Sequence, residues 1–559
     1  MPGEGGHAHV RVRPADIRQN EKRCPQGLAL KIRPVDSRPP RAAAGVRTLT
    51  GWSLGPLHDV VDRIEFGQLP LEEALAGRLA DTGRPVHAAL ARWTEYAVRS
   101  YFTAVAKIPA LPGVPLDEPL EPVSRMWARQ RGPLKPGDPD VYEEVVGDRR
   151  YAGHGVRELR FVRTGSVAER PGGEPDRPRD EAEIAVAVGV LAGGRPVLSP
   201  KWERKPLRLG RFEPARLVRL VEIGCADASY RVLFEGTPEE AFARYDTSVE
   251  DRIDAVIAGG TYRPGQDCGR CAAVADCPEV PSRPGFLGIA HAGLPRRSWS
   301  MTTGRSHRAC PARAHLEDLF LPRDGSIENT EAMVRGQAVH AWIERLHRRT
   351  PQRACAPDDT PAPHEAWQCG RWAVTGLQAR LGIQMIGDHA LVCPLRDRPD
   401  GAEAHPEHSV VVYDPEADVV VIAKADLLYR VGDRWTLRET KTVRTLSEGD
   451  LLERYPQLAL AVRIAGAGVL PGAEHCRVEL ERLTGSGPVV TELDVTAPDV
   501  AARAQRVLEE YISPWYADAH HPAKPGKACD DCPFTRWCPA AKEAKDVKET
   551  TDGKKGAGA

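Results

Sequence analysis

Residues 423–441 read AKADLLYRVGDRWTLRETK, and the fold turns on how they pair. Residues 419–428 are an apolar run broken by Lys424 and by one acid, Asp426. Val431-Gly432-Asp433 carries turn chemistry, and residues 435–442 alternate apolar and polar before ending in Glu439-Thr440-Lys441-Thr442. This pattern predicts two strands joined by a tight hairpin. Glu439 and Lys441 are two residues apart, so a strand points both to one face. The partner strand is expected to set Asp426 beside them. Two carboxylates and a lysine are costly to bury in an apolar sheet without further partners. A divalent cation on oxygen ligands supplies one, and the lysine can then act on water or offset charge on a phosphate. The same residues also fit a salt-bridged surface hairpin. The rest of the chain has to choose.

The chain has 559 residues, 28% of them charged and 41% hydrophobic, with a formal net charge of −1. That length implies two or more domains with sizeable cores. A near-neutral balance announces no nucleic-acid partner, so any binding needs a local basic channel. No apolar run is long enough for a membrane span. The start of the chain lacks the apolar stretch of a signal peptide, and a cytoplasmic location is expected. Residues 1–20, including His7 and His9, read as a loosely ordered terminus. Thirteen cysteines without an export signal argue against a disulfide framework. No Walker A motif is present, so unwinding would need a helicase or other partner protein.

The chain reads as doubled. Each half carries Cys-Pro, then Gly-x-x-Val-His-Ala, then Arg-Glu-x-(Arg/Lys)-x-Val-Arg, then C-x2-C-x5-C followed by Pro. Four landmarks in one order imply an internal repeat of about 250 residues. The expected domains are 1–280 and 298–540, with a Pro/Gly-rich linker at 281–297 and a disordered tail at 541–559. One quartet is Cys24, Cys268, Cys271 and Cys277, and the other is Cys310, Cys529, Cys532 and Cys538. Each joins the start of a domain to its end as a clasp, and four thiolates suit zinc or an iron–sulfur cluster alike. Cys225, Cys355, Cys369, Cys393 and Cys476 are left as buried, inert thiols.

Residues 298–540 resemble the PD-(D/E)XK nuclease superfamily, in particular its RecB-like iron–sulfur branch of CRISPR-adaptation, AddB and exonuclease V type nucleases. The resemblance implies α/β architecture: two tandem restriction-endonuclease-like domains, each a mixed sheet flanked by helices. It implies a [4Fe–4S] cluster on Cys310, Cys529, Cys532 and Cys538, and a second on Cys24, Cys268, Cys271 and Cys277. It also implies Mg²⁺ or Mn²⁺ on His340, Asp426, Glu439 and the Thr440 carbonyl, with Lys441 and Gln457 completing the catalytic set. Where the branch often has a tyrosine, this chain has Ala461; Tyr455 is a nearby substitute.

The first half resembles a decayed copy. His87 and Glu158 fit the template, Arg160 stands where Lys441 stands, Glu183 takes the glutamine position, and Asp140 is the candidate metal aspartate. Arginine hardly deprotonates, so an inactive domain is expected. The implied function is a metal-dependent DNA nuclease, an exonuclease on single-stranded ends, in phage defence, recombination or repair. Trp435, Tyr455, Phe534 and Trp537 are candidates for stacking bases, although core packing is the commoner fate of such residues. The alternative is a non-catalytic nucleic-acid-binding or adaptor protein with two structural metal clusters.

Overall fold

The computed structural model describes residues 9–18, 23–33, 48–132, 141–169, 178–198, 206–396 and 402–541, apart from 82, 292, 325–329, 447 and 471–475. The chain is α/β, with mixed sheets flanked by helices. No helix among the described residues is long and apolar enough to cross a membrane.

In the first half, helix α1 (Ala88–Val105) precedes strands β1 (Arg149–Gly153) and β2 (Val156–Arg163), helix α2 (Glu181–Gly193), and strands β3 (Leu217–Gly224) and β4 (Ser229–Gly236). In the second, β5 (Arg297–Trp299) leads to helices α3 (Glu331–His347) and α4 (Gly376–Leu391). Strands β6 (Glu403–Asp414), β7 (Val419–Val431) and β8 (Arg434–Thr442) follow. Helix α5 (Pro456–Gly466), strands β9 (Arg477–Thr484) and β10 (Gly487–Leu493), and helix α6 (Pro498–Ala517) complete the half.

The expected hairpin is present as β7 and β8, with Gly432 at a φ of 59° in the two-residue turn. That left-handed conformation suits glycine, which has no Cβ to clash. β8 pairs antiparallel with β7 and parallel with β9, which pairs antiparallel with β10. In the first half β2 pairs antiparallel with β1 and parallel with β3, which pairs antiparallel with β4. The two sheets share this pattern, and in each a helix separates the parallel strands in sequence.

Helices cover both faces of the second sheet. One core holds Val421, Leu437, Val478 and Leu480 against Leu458, Val462, Leu508 and Ile512 of α5 and α6. The other holds Leu427, Tyr429 and Leu483 against Val339, Ile343 and Ile386 of α3 and α4. Alternation along β7 explains the split, because Leu427 and Leu428 face opposite layers.

Two parts of the chain depart from expectation. His9–Val12 is a buried strand, parallel to Val141–Val146. His9 and Arg11 are tied there by the buried carboxylate of Glu143, a partner 134 residues from His9 that local polarity does not reveal. Within 281–297, Phe286 and Leu287 are buried in the core beneath α5 and α6, and Asp414 accepts the backbone N–H groups of Gly285 and Leu287. The expected tail, from residue 542 onward, lies outside the described residues.

The halves share cores reciprocally. Phe534 and Trp537, from the second cysteine triplet, are buried with Leu90, Trp93, Ala97 and Val221 of the first half. Cys268 and Val274, from the first triplet, are buried with Val411, Tyr413 and Val420 of the second. Each cysteine clasp is therefore seated on the other half.

Candidate functional site

The ladder between β7 and β8 runs from the turn only as far as Leu427 opposite Arg438. One residue further, the strands part. In the fork the Asp426 carboxylate accepts the Thr440 backbone N–H at 2.7 Å, taking the place of a ladder bond. Glu439 and Lys441 point to the same side and form an ion pair. The Lys441 ammonium donates to the Thr440 carbonyl at 3.2 Å and lies 3.9 Å from Asp426 Oδ2.

Two helices complete the cluster. Thr330 caps α3 by accepting the Met333 N–H, and the helix carries His340 to the fork, its Nδ1 3.6 Å from Asp426 Oδ1. α5 starts at Pro456, where a missing N–H costs nothing. Its next residue, Gln457, donates from Nε2 to Glu439 Oε1 at 2.9 Å. The structure thus brings Asp426, Glu439, Lys441, Gln457, His340 and Thr440 to one place.

The electrostatics are those of crowded carboxylates. Burial and the charge of Asp426 push the Glu439 carboxyl up. Burial would also raise Asp426, but His340, Lys441 and the Thr440 N–H outweigh it and hold its carboxyl low. Burial opposes the charged forms of His340 and Lys441, yet the carboxylates raise both.

The donor set fits a hard divalent cation: two carboxylates, an imidazole and a backbone carbonyl. The Lys441 ammonium already sits among these oxygens as a positive charge. Gln457 Oε1 is buried without a hydrogen-bond partner, while its Nε2 faces Glu439. When such an ion is held by Asp426, Glu439, His340 and the Thr440 carbonyl, it supplies charge that polarises a phosphate and activates water.

The model of the PD-(D/E)XK nuclease superfamily matches residues 298–539. Residues 298–539 are a PD-(D/E)XK nuclease superfamily domain. Members of that superfamily use divalent metals and act on nucleic acid. No curated protein matches the chain. A solved structure described as "Crystal structure of SSO0001" is 16% identical, covering 44% of this chain and 86% of that one, with a TM-score of 0.22.

Around this nuclease-superfamily domain the two quartets take shape. Cys310, Cys529, Cys532 and Cys538 line one hollow, and the Lys524 N–H points at Cys310 Sγ from 3.4 Å. Cys24, Cys268, Cys271 and Cys277 lie within electrostatic reach of one another. The N–H groups of Gly27 and Arg263 point at Cys24 Sγ from 3.3 and 3.4 Å. The Gly265 N–H meets Cys268 Sγ at 3.3 Å. Backbone donors aimed at sulfur stabilise thiolates and fit four-thiolate metal binding.

Among the described residues the first half holds no equivalent of the fork cluster. Glu158 is fully buried, paired with Arg160 and Arg219. Tyr151 faces Glu158 across the ladder and stands where Asp426 would. Its hydroxyl meets Tyr101 at 2.6 Å and Glu65 at 2.7 Å. His87 is not brought to Glu158. Pro85 delays the helix, so His87 becomes the N-cap of α1, with its Nε2 3.0 Å from the His521 carbonyl. In the second half Gln337-Ala338 replaces Arg84-Pro85, and the helix runs through His340. Glu183 pairs with Arg18 and Arg179 instead of serving the glutamine position. Asp140 lies outside the described residues.

Among the aromatic candidates, Phe534 and Trp537 are core residues. Trp435 and Tyr455 are half-buried against the core shared with α5 and α6. Sequence reading also passed over one group. Cys355 and Cys393, taken as inert, converge with His347 and His389. The signal available was His389-x3-Cys393, a one-turn spacing at the end of a helix.

Proposed function

We propose that the second half is a metal-dependent deoxyribonuclease acting on single-stranded ends, with Mg²⁺ or Mn²⁺ on Asp426, Glu439, His340 and the Thr440 carbonyl. The observation that carries this reading is the meeting of Asp426, Glu439 and Lys441 in the fork, inside a domain of nuclease superfamily sequence. Asp426 holds the fork open by capping Thr440. His340 enters from α3 and fixes one edge of the pocket. Gln457 orients Glu439 through its amide. Lys441 lies beside Glu439, the Thr440 carbonyl and Asp426, so it can orient water and offset charge on the phosphate.

The first half acts as a degenerate copy, present for binding, docking or scaffolding. Supporting this, its sheet repeats the strand pairing of the second while Glu158 is committed to two arginines. A carboxylate held that way has no oxygen to give a metal. The two cysteine quartets each hold a [4Fe–4S] cluster, in line with the resemblance of spacing; zinc is the alternative, and iron analysis with the visible spectrum separates them. Partner proteins, including a helicase, and roles in phage defence, recombination or repair follow from the resemblance alone.

The test compares linear and circular single-stranded DNA of one sequence, incubated with anaerobically purified protein and Mg²⁺ or Mn²⁺. Degradation of the linear form only supports an end-dependent nuclease. Cleavage of circles would replace that by an endonuclease. No cleavage of either, by folded and metal-loaded protein, would favour the adaptor reading.

A further inference from the structure

A further group of potential ligand side chains lies where α3 and α4 pack together. His347 ends α3, and Cys355 follows in the next loop. His389 lies in the last turn of α4, and Cys393 comes just after that helix. All four side chains are buried, and their ligand atoms lie within 4.8 Å of one another. The two imidazole Nε2 atoms are 3.4 Å apart, and His347 Nε2 is 3.6 Å from Cys393 Sγ. A tetrahedron with zinc–nitrogen bonds of about 2.05 Å and zinc–sulfur bonds of about 2.3 Å has edges of about 3.3 Å between nitrogens and about 3.6 Å between nitrogen and sulfur. The observed separations match those edges.

The surroundings fit as well. His389 Nδ1 lies 2.7 Å from Glu481 Oε1, and that carboxylate is fully buried. This bond turns Nε2 inward, the arrangement by which a carboxylate orients a histidine ligand. Two thiolates and two neutral imidazoles cancel the charge of a divalent ion. The resulting neutral centre suits a pocket walled by Ile343, Leu346, Met385, Ile386 and Leu395. Sulfur and imidazole ligands in equal number, on four buried residues, suit zinc in a structural site.

We propose that His347, Cys355, His389 and Cys393 bind one zinc ion, in a centre separate from the two cysteine quartets and from the fork. The ion staples α3 to α4. It also supports β8, because Glu481 accepts the Thr440 hydroxyl at 3.0 Å while holding His389. His340 and His347 are two turns apart on α3, so the staple fixes the helix that delivers His340 to Asp426.

Zinc and iron per chain are measured by elemental analysis in the full-length protein and in a Cys355→Ala/Cys393→Ala double variant. The expected result is the loss of one zinc per chain with the metal of the quartets unchanged. A folded double variant with the zinc content of the wild type overturns the proposal. If that variant does not fold, the zinc-edge X-ray absorption of the unaltered protein decides. Nitrogen in the zinc shell alongside sulfur supports the site, and an all-sulfur shell or a protein without zinc overturns it. Glu481→Gln should weaken the hold on that zinc by about 10- to 100-fold in competition with a chelator, an effect of histidine orientation. None of these readouts depends on cleavage, so they stand apart from the nuclease reading.

Discussion

The Asp426 carboxylate accepts the Thr440 N–H at 2.7 Å, at the point where β7 and β8 part. One side chain therefore satisfies the Thr440 N–H within the fork and contributes charge to the pocket there. Asp426→Asn keeps an acceptor oxygen for Thr440 but removes the charge. The expected outcome is a native melting curve with cleavage reduced by about 10²- to 10³-fold. Single-turnover cleavage beside a thermal melt checks it, and a variant cutting at the wild-type rate would remove Asp426 from the site.

Glu158 offers the converse. It is buried between Arg160 and Arg219, so removing its charge strips the Arg160 guanidinium of its carboxylate and leaves Arg219 with only the more distant Glu235, 3.8 Å away. Glu158→Gln is expected to cost about 3–5 kcal/mol of stability. Below the melting point its cleavage rate should equal that of the wild type. A selective loss of cleavage in the folded variant would show that the first half takes part in the reaction.

Trp537 ties the second cysteine triplet to the first half. It packs with Tyr96 at a ring separation of 5.2 Å and donates from Nε1 to the Pro322 carbonyl at 2.8 Å. Trp537→Ala is expected to destabilise the protein by about 3–5 kcal/mol. Because the core is shared, hydrogen exchange should rise in α1 as well as around the triplet. Exchange confined to the triplet would contradict the shared core.

Acid should free the first strand. Burial raises the Glu143 carboxyl, but hydrogen bonds from His9, Gln130, the Leu207 N–H and Arg11 outweigh it and hold it at about 2, against an ordinary value of 4.5. A lowered folded value stabilises above the ordinary one and is lost as pH falls through the folded one. The shift corresponds to about 3 kcal/mol, of which about 2 is gone by pH 3. Amide exchange at Val10 and Val12, corrected for its intrinsic pH dependence, should lose protection between about pH 5 and about pH 3. Protection retained across that range would remove Glu143 as the anchor.

Much of this was readable because it is local. Gly432-Asp433 and the alternation around it specify the hairpin, and a two-residue spacing puts Glu439 and Lys441 on one side. The meeting of Asp426 with Thr440 then needs only the register of that hairpin. Other features depend on distant chain. His9 is ordered by Glu143 and not by its neighbours. His87 shares a motif with His340, but Pro85 shifts the helix start and points the ring elsewhere. Tyr151 in place of Asp426 becomes visible only from the strand register. His347, Cys355, His389 and Cys393 come together only when α3 and α4 pack. Phe534 and Trp537 look like base-stacking candidates until the first half is seen to cover them.

The most direct test is cleavage of end-labelled single-stranded DNA by anaerobically purified wild type and Lys441→Ala, with Mn²⁺ or Mg²⁺ present or withheld. The expected result is metal-dependent cleavage by wild type, and a rate lower by about 10²- to 10³-fold for a variant that melts like the wild type. Equal cleavage by both proteins, or cleavage that persists without a divalent ion, would contradict a nuclease centre built on Asp426, Glu439 and Lys441.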